Sequence, residues 1–98
     1  MLELEWSQLA RADLLAIVDY ISDDNLDAAQ RLKDDVESKA ARLPEHPKLY
    51  RQGRLDGTRE MVVRENYVVV YGINLSTVRV LRVLHAAQQW PMEQKQDV

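Results

Sequence analysis

A chain of 98 residues, 46% hydrophobic and 30% charged, fits a single domain with a modest core and contains no apolar run long enough for a membrane span. It has no cysteine and only two histidines, far apart in sequence, which excludes disulfides and thiolate metal sites, so that no metal or cofactor is expected. The net charge of −3 conceals an asymmetry: residues 1–41 carry 4 basic and 10 acidic side chains, residues 42–82 carry 8 and 4, and residues 83–98 carry 1 and 2.

From the N-terminus, Leu2, Leu4 and Trp6 alternate with Glu3 and Glu5, the period of a half-buried strand over residues 2–6. Two acids and no basic stretch in this segment are unlike a secretory signal, and a cytoplasmic location is expected. Ser7 is a good N-cap, and Leu14, Ile17, Val18 and Ile21 fall on one face of a helix over 8–23. Asn25 or Asp27 starts a second helix over 27–43, with Ala29, Leu32, Val36, Ala40 and Leu43 as its apolar stripe and Pro44 as its stop. The short polar link between them predicts an antiparallel helix hairpin, with the acids around Asp23, Asp24, Asp27, Asp34 and Asp35 on a solvated face.

Residues 44–57 contain Pro44, Pro47, Gly53 and Gly57 without a period, and read as an ordered loop crossing from helices to sheet. Three β-branched runs follow, predicting strands at 58–64, 67–73 and 78–85 joined by turns at 65–66 and 72–77, an antiparallel meander. One domain over 1–91 and a frayed tail over 92–98 complete the expected organisation.

The cationic half of the chain is therefore its sheet, and opposite fields on one small body favour oriented docking on a charged partner. A sequence pI near 5.3 argues against nonspecific coating of nucleic acid. Arg59, Arg64, Arg79 and Arg82 lie in or beside strands and are the candidate partner-binding residues, with His85 and Trp90 at the end of the meander. Each has a plainer alternative. Arg59 could pair with an acid on a neighbouring strand, one of Arg79 and Arg82 must pair internally or snorkel, and Trp90 could anchor the C-terminal segment. Strict alternation puts Val78, Val80 and Leu84 on the face of Arg82, and Leu81, Val83 and His85 on that of Arg79.

The order of strand, helix hairpin and proline-containing crossover, then Gly-Thr-Arg-Glu at 57–60, Asn-Tyr-Val-Val-Val-Tyr at 66–71 and Arg-Val-Leu-His at 82–85, resembles the RelE/ParE family of toxins from bacterial type II toxin-antitoxin modules. The resemblance implies an α+β fold with the helices on one face of an antiparallel sheet, and a cognate antitoxin that wraps the toxin. It also implies one of two activities. RelE-like members are ribosome-dependent ribonucleases that cut messenger RNA, and need a base, a cationic phosphate clamp and a proton donor. In them the strand matching 66–71 commonly reads Tyr-Arg-Leu-Val-Tyr. Val68 stands where that arginine would clamp the phosphate, and Lys48 is the only lysine in the 44–57 crossover. His85 matches the terminal histidine of some ribonuclease members and is the one candidate acid/base. ParE-like members inhibit DNA gyrase by binding, which tolerates Val68, and this is the preferred expectation. A third reading keeps the fold as a non-toxic interaction domain.

Overall fold

The structure, a computed structural model, describes residues 2–64 and 66–88. Its elements run β1 (Glu3–Trp6), α1 (Gln8–Ser22), α2 (Leu26–Ala40), β2 (Arg51–Gln52), β3 (Thr58–Val63), β4 (Tyr67–Ile73) and β5 (Thr77–His85). Both helices start where the capping residues direct: Ser7 accepts the Ala10 N–H at 2.9 Å and Asn25 accepts that of Ala28 at 2.9 Å. The second helix ends at Ala40, before the expected 43. The chain then tightens into turns in which Arg42 and Leu43 donate to Lys39 and Ala40, so Leu43 stays buried on the predicted stripe.

The sheet has the order β1-β5-β4-β3-β2. The meander is antiparallel as expected, but β1 runs parallel to β5, pairing Leu4 with Val78 and Trp6 with Val80, so the sheet is mixed. The helix hairpin supplies the long crossover that a parallel edge pairing requires. Part of the expected 44–57 loop is strand as well, since β2 pairs Arg51 with Glu60 and Gln52 with Arg59. Two glycines make that hairpin possible: Gly57 has a φ of 82°, and a Cβ on Gly53 would collide with the Thr58 hydroxyl.

Both helices cover one sheet face. Ala10 and Leu14 of α1 and Leu32, Val36 and Ala40 of α2 form one core with Met61, Val63, Val69, Tyr71, Val78, Val80 and Val83. A fully buried aliphatic side chain of this kind contributes about 1.5–3 kcal/mol. Val68, Val70 and Leu84 make a smaller cluster on the other face.

Alternation along β5 fails at a bulge. Val70 pairs with Arg82 and Tyr71 with Val80, leaving Leu81 as an extra residue. Val83 therefore joins Val78 and Val80 in the main core and Leu84 goes to the other cluster, against the grouping that strict alternation predicts. The bulge is held from α1. Asp13 takes two hydrogen bonds from the Arg82 guanidinium, at 2.8 and 3.1 Å, and one from the Val83 N–H at 2.9 Å. The pair is mostly buried, and the Asp13 hydrogen bond pushes the Arg82 pKa further up. Removing one partner strands a charge, so Asp13→Ala is expected to lower the unfolding free energy by about 3 kcal/mol in urea titration. Asp13→Ala combined with Arg82→Met is expected to recover part of that loss.

Candidate partner-binding surface

Two surfaces stand out, on different sides of the molecule. The first is an apolar groove of about 390 Å³ beside β1 and between the helices, lined by Trp6, Leu14, Leu15 and Val18 and edged by Arg11, Lys33 and Glu37. Its apolar floor exists because the α1 stripe is wider than the strip the sheet covers. Leu14 is buried, whereas Leu15 is 62% exposed. The Arg11 guanidinium lies 6.0 Å from the Trp6 ring centroid, and Lys33 pairs with Glu37 along α2 at 3.1 Å. The groove thus has an apolar floor and charges of both signs at its margins.

The second lies on the sheet face away from the helices, a hollow of about 480 Å³ with Arg51, Arg54 and Glu60 on one side and Val62, Val68 and Ala86 on the other. The Glu60 carboxylate is buried, with 1% of its side chain exposed, and is fully engaged. Arg51 Nη2 donates to it at 3.1 Å, and Arg54 donates from its backbone N–H at 3.0 Å and from Nε at 3.3 Å. Burial alone would raise the Glu60 pKa, but these hydrogen bonds and the Arg54 charge outweigh it and hold the carboxyl below its usual 4.5.

The arginines chosen from sequence are not brought together; each is spent on an internal contact. Arg59 lies on the helix-side face of β3, and its Nη1 donates to the carbonyls of Tyr50 at 2.7 Å and Lys48 at 3.3 Å. With the Tyr71 hydroxyl, which donates to Pro47 O at 2.7 Å, it pins the crossover to the sheet. Arg64, at the β3 end with a φ of 56°, pairs with Asp35 of α2 at 2.7 Å. Arg79 pairs with Glu5 across the parallel β1–β5 ladder at 3.1 Å in an exposed contact, and Arg82 is the partner of Asp13.

His85 is exposed at the end of β5, packed edge-on against Tyr67 with ring centroids 5.3 Å apart. Its Nδ1 accepts the Ala87 N–H at 3.0 Å, and its own N–H goes to Gln88 Oε1, which is the geometry of a strand cap. Trp90 lies outside the described residues. Sequence reasoning passed over Asp13, Arg51 and Arg54. Asp13 had a signal, since it stands three residues after buried Ala10 and four before Ile17, on the flank of the core stripe. Arg51 and Arg54 had none, because their role depends on β2, a strand too short to show a period.

A helix hairpin on one face of a five-stranded mixed sheet, with a bulged last strand, makes this an α+β architecture. The family described as "ParE toxin of type II toxin-antitoxin system, parDE" matches residues 4–90. The putative toxin Y4kP of Sinorhizobium fredii is 37% identical over 89 residues, covering 90% of this chain and 92% of its own. Toxin RelE2 of Caulobacter vibrioides is 38% identical over 90 residues, covering 90% and 99%. Among solved structures, the chromosomal ParDE system of P. aeruginosa superposes with a TM-score of 0.79 at 19% identity, over 87% of this chain and 96% of that one. RelBE2 of Mycobacterium tuberculosis follows at 0.56 and 23% identity, over 86% and 96%. The chain belongs to the ParE toxin family of type II toxin-antitoxin systems.

The sign of the Glu60 shift makes a pH prediction. A carboxyl whose folded pKa lies below its unfolded value of 4.5 contributes stability that is present above pH 4.5 and lost as pH falls through the folded pKa. Urea midpoints are therefore expected to fall as pH drops below 4.5, and Glu60→Gln, which is less stable at neutral pH, is expected to show a shallower fall. A wild-type-like pH profile in Glu60→Gln would assign the acid sensitivity to other carboxylates.

Proposed function

We propose that this toxin acts by binding rather than by cutting RNA, with DNA gyrase as its target, and that a cognate antitoxin neutralises it by laying an amphipathic helix in the groove between α1 and α2. The observation that carries the reading is the make-up of the open sheet face. Where RNA cleavage needs a base, a phosphate clamp and a proton donor converging on one scissile bond, this face presents Val62, Val68 and Leu84, and its cations, Arg51 and Arg54, stand at the β2 margin bound to Glu60. The one carboxylate there among the described residues, Glu60, is buried and bound by two arginines. The nearest acid/base candidate, His85, has its Nδ1 committed to the Ala87 N–H and its ring in a T-shaped contact with Tyr67. A binding toxin requires none of that convergence.

Purified toxin is expected to inhibit gyrase supercoiling and leave ribosome-bound messenger intact. His85→Ala is expected to change toxicity by less than about tenfold, because a contact at an interface margin is worth no more than about 1–2 kcal/mol, whereas loss of a catalytic acid/base costs about 10² to 10⁴ in rate. Codon-positioned messenger cleavage abolished by His85→Ala would establish the ribonuclease instead. Normal growth of cells expressing the chain alone would favour a non-toxic interaction domain.

The groove makes a separate prediction. Leu15→Glu replaces an exposed side chain, so folding should persist. Affinity for the antitoxin is expected to drop by about tenfold or more in isothermal titration, and co-expressed antitoxin should no longer restore growth fully. An unchanged affinity would move the antitoxin off the groove.

A further inference from the structure

We propose that the edge of β3 at Val62, uncovered among the described residues, accepts an extended, acidic segment of a partner protein as an additional strand, with adjacent carboxylates of that segment going to opposite sides of the sheet. The inference rests on the binding reading above but not on the identity of the target.

The edge is open for a structural reason. β2 pairs only with Arg59 and Glu60, and residue 49, next in line to face Val62, turns away and gives its N–H to His46 O at 3.2 Å. Thr58 directs its N–H and its carbonyl towards the β2 side, to Leu55 O and from Gly53 N. Backbone groups alternate sides along an antiparallel strand, so those of residues 60 and 62 point the same way. Val62 thus presents an N–H and a C=O with no strand to receive them among the described residues, and the residue is 43% exposed. A row of unpaired edge groups is a template for another chain.

Charge identifies the chain it fits. Val62 borders two hollows on opposite faces of the sheet. On the open face, Arg51 and Arg54 meet a single carboxylate, Glu60, through one side-chain nitrogen each, and the rest of both guanidinium forks is unused among the described residues. On the helix face, a hollow of about 400 Å³ under the end of α2 is lined by Lys39, Arg42 and His46, with Leu43, Leu49 and Tyr50 and no acid. The Arg42 guanidinium makes no hydrogen bond or ion pair among the described residues. Side chains of an added strand alternate between faces. Two adjacent acids would therefore enter the two cationic hollows, and aliphatic neighbours would cover Val62, Val68 and Leu49.

The test uses a synthetic peptide, Val-Glu-Glu-Val-Glu-Glu-Val, with isotope-labelled full-length toxin. The expected result is binding that weakens with salt, accompanied by slowed exchange of the Val62 amide proton. A Glu-Val-Glu-Val-Glu-Val-Glu peptide, with acids on one face only, is expected to bind about tenfold more weakly, and an N-methylated version of the first peptide to lose binding. Arg42→Glu and Arg51→Glu, both at exposed positions, should each weaken binding and flatten its salt dependence. Equal binding of the N-methylated peptide, or an unmoved Val62 amide, would overturn the proposal on wild-type protein alone. So would a single-stranded oligonucleotide that binds more tightly than the peptide and depends on the same two arginines. None of these readouts involves gyrase or messenger, so this proposal and the proposed function fail separately.

Discussion

The structure depends on how the β5 edge is closed beyond the end of β1. β1 is four residues long and stops at Trp6, whereas β5 continues to His85. The uncovered stretch would leave backbone groups without partners beside the core, at a cost of about 1–3 kcal/mol for each one buried. The first turns of α1 supply the missing partners. The Ser7 N–H goes to Val80 O at 2.9 Å, the Ser7 hydroxyl donates to Leu81 O at 3.0 Å, and Asp13 receives the Val83 N–H. Ser7 is also the helix cap, so one residue starts the helix and seals the sheet.

That seal sets the angle and height of α1 over the sheet, and α2 follows through the Ala29, Leu32 and Val36 stripe. The groove beside Trp6 is the space left between a hairpin fixed at one end by Asp13 and a short parallel edge strand. The bulge in β5 belongs to the same arrangement. It turns Arg82 to Asp13 and carries Val83 into the core, and without it the alternation would send Val83 to the opposite face.

The charge asymmetry seen in sequence is partly consumed inside the fold. Acidic helices and a basic sheet pair across their interface, Asp35 with Arg64 and Asp13 with Arg82, and Glu5 of β1 pairs with Arg79. What remains outward-facing on the basic half is concentrated around the β2–β3 edge, where two arginines share one buried glutamate and the end of α2 adds three more basic side chains. Here the apolar groove and the cationic edge lie towards opposite edge strands of the sheet.

Much of the fold was legible because its determinants are local and periodic. The two caps, the stripe from Ala29 to Leu43, the period of β1 and the β-branched runs of the meander each act within a few residues, and each element formed within about three residues of its expected bounds. The site was less legible, because a side chain's availability depends on what the fold places beside it. Arg59, Arg64, Arg79 and Arg82 found carbonyls and carboxylates up to 74 positions away in sequence, whereas Arg51 and Arg54 became a surface only when β2 paired with β3. The parallel placement of β1, the bulge at Leu81 and the open edge at Val62 all arise from pairing between distant strands. The sequence alone therefore determined the elements, through local propensity and periodicity. Tertiary structure alone decided which charges are spent and which remain for a partner, since that is settled by long-range register and edge hydrogen bonding.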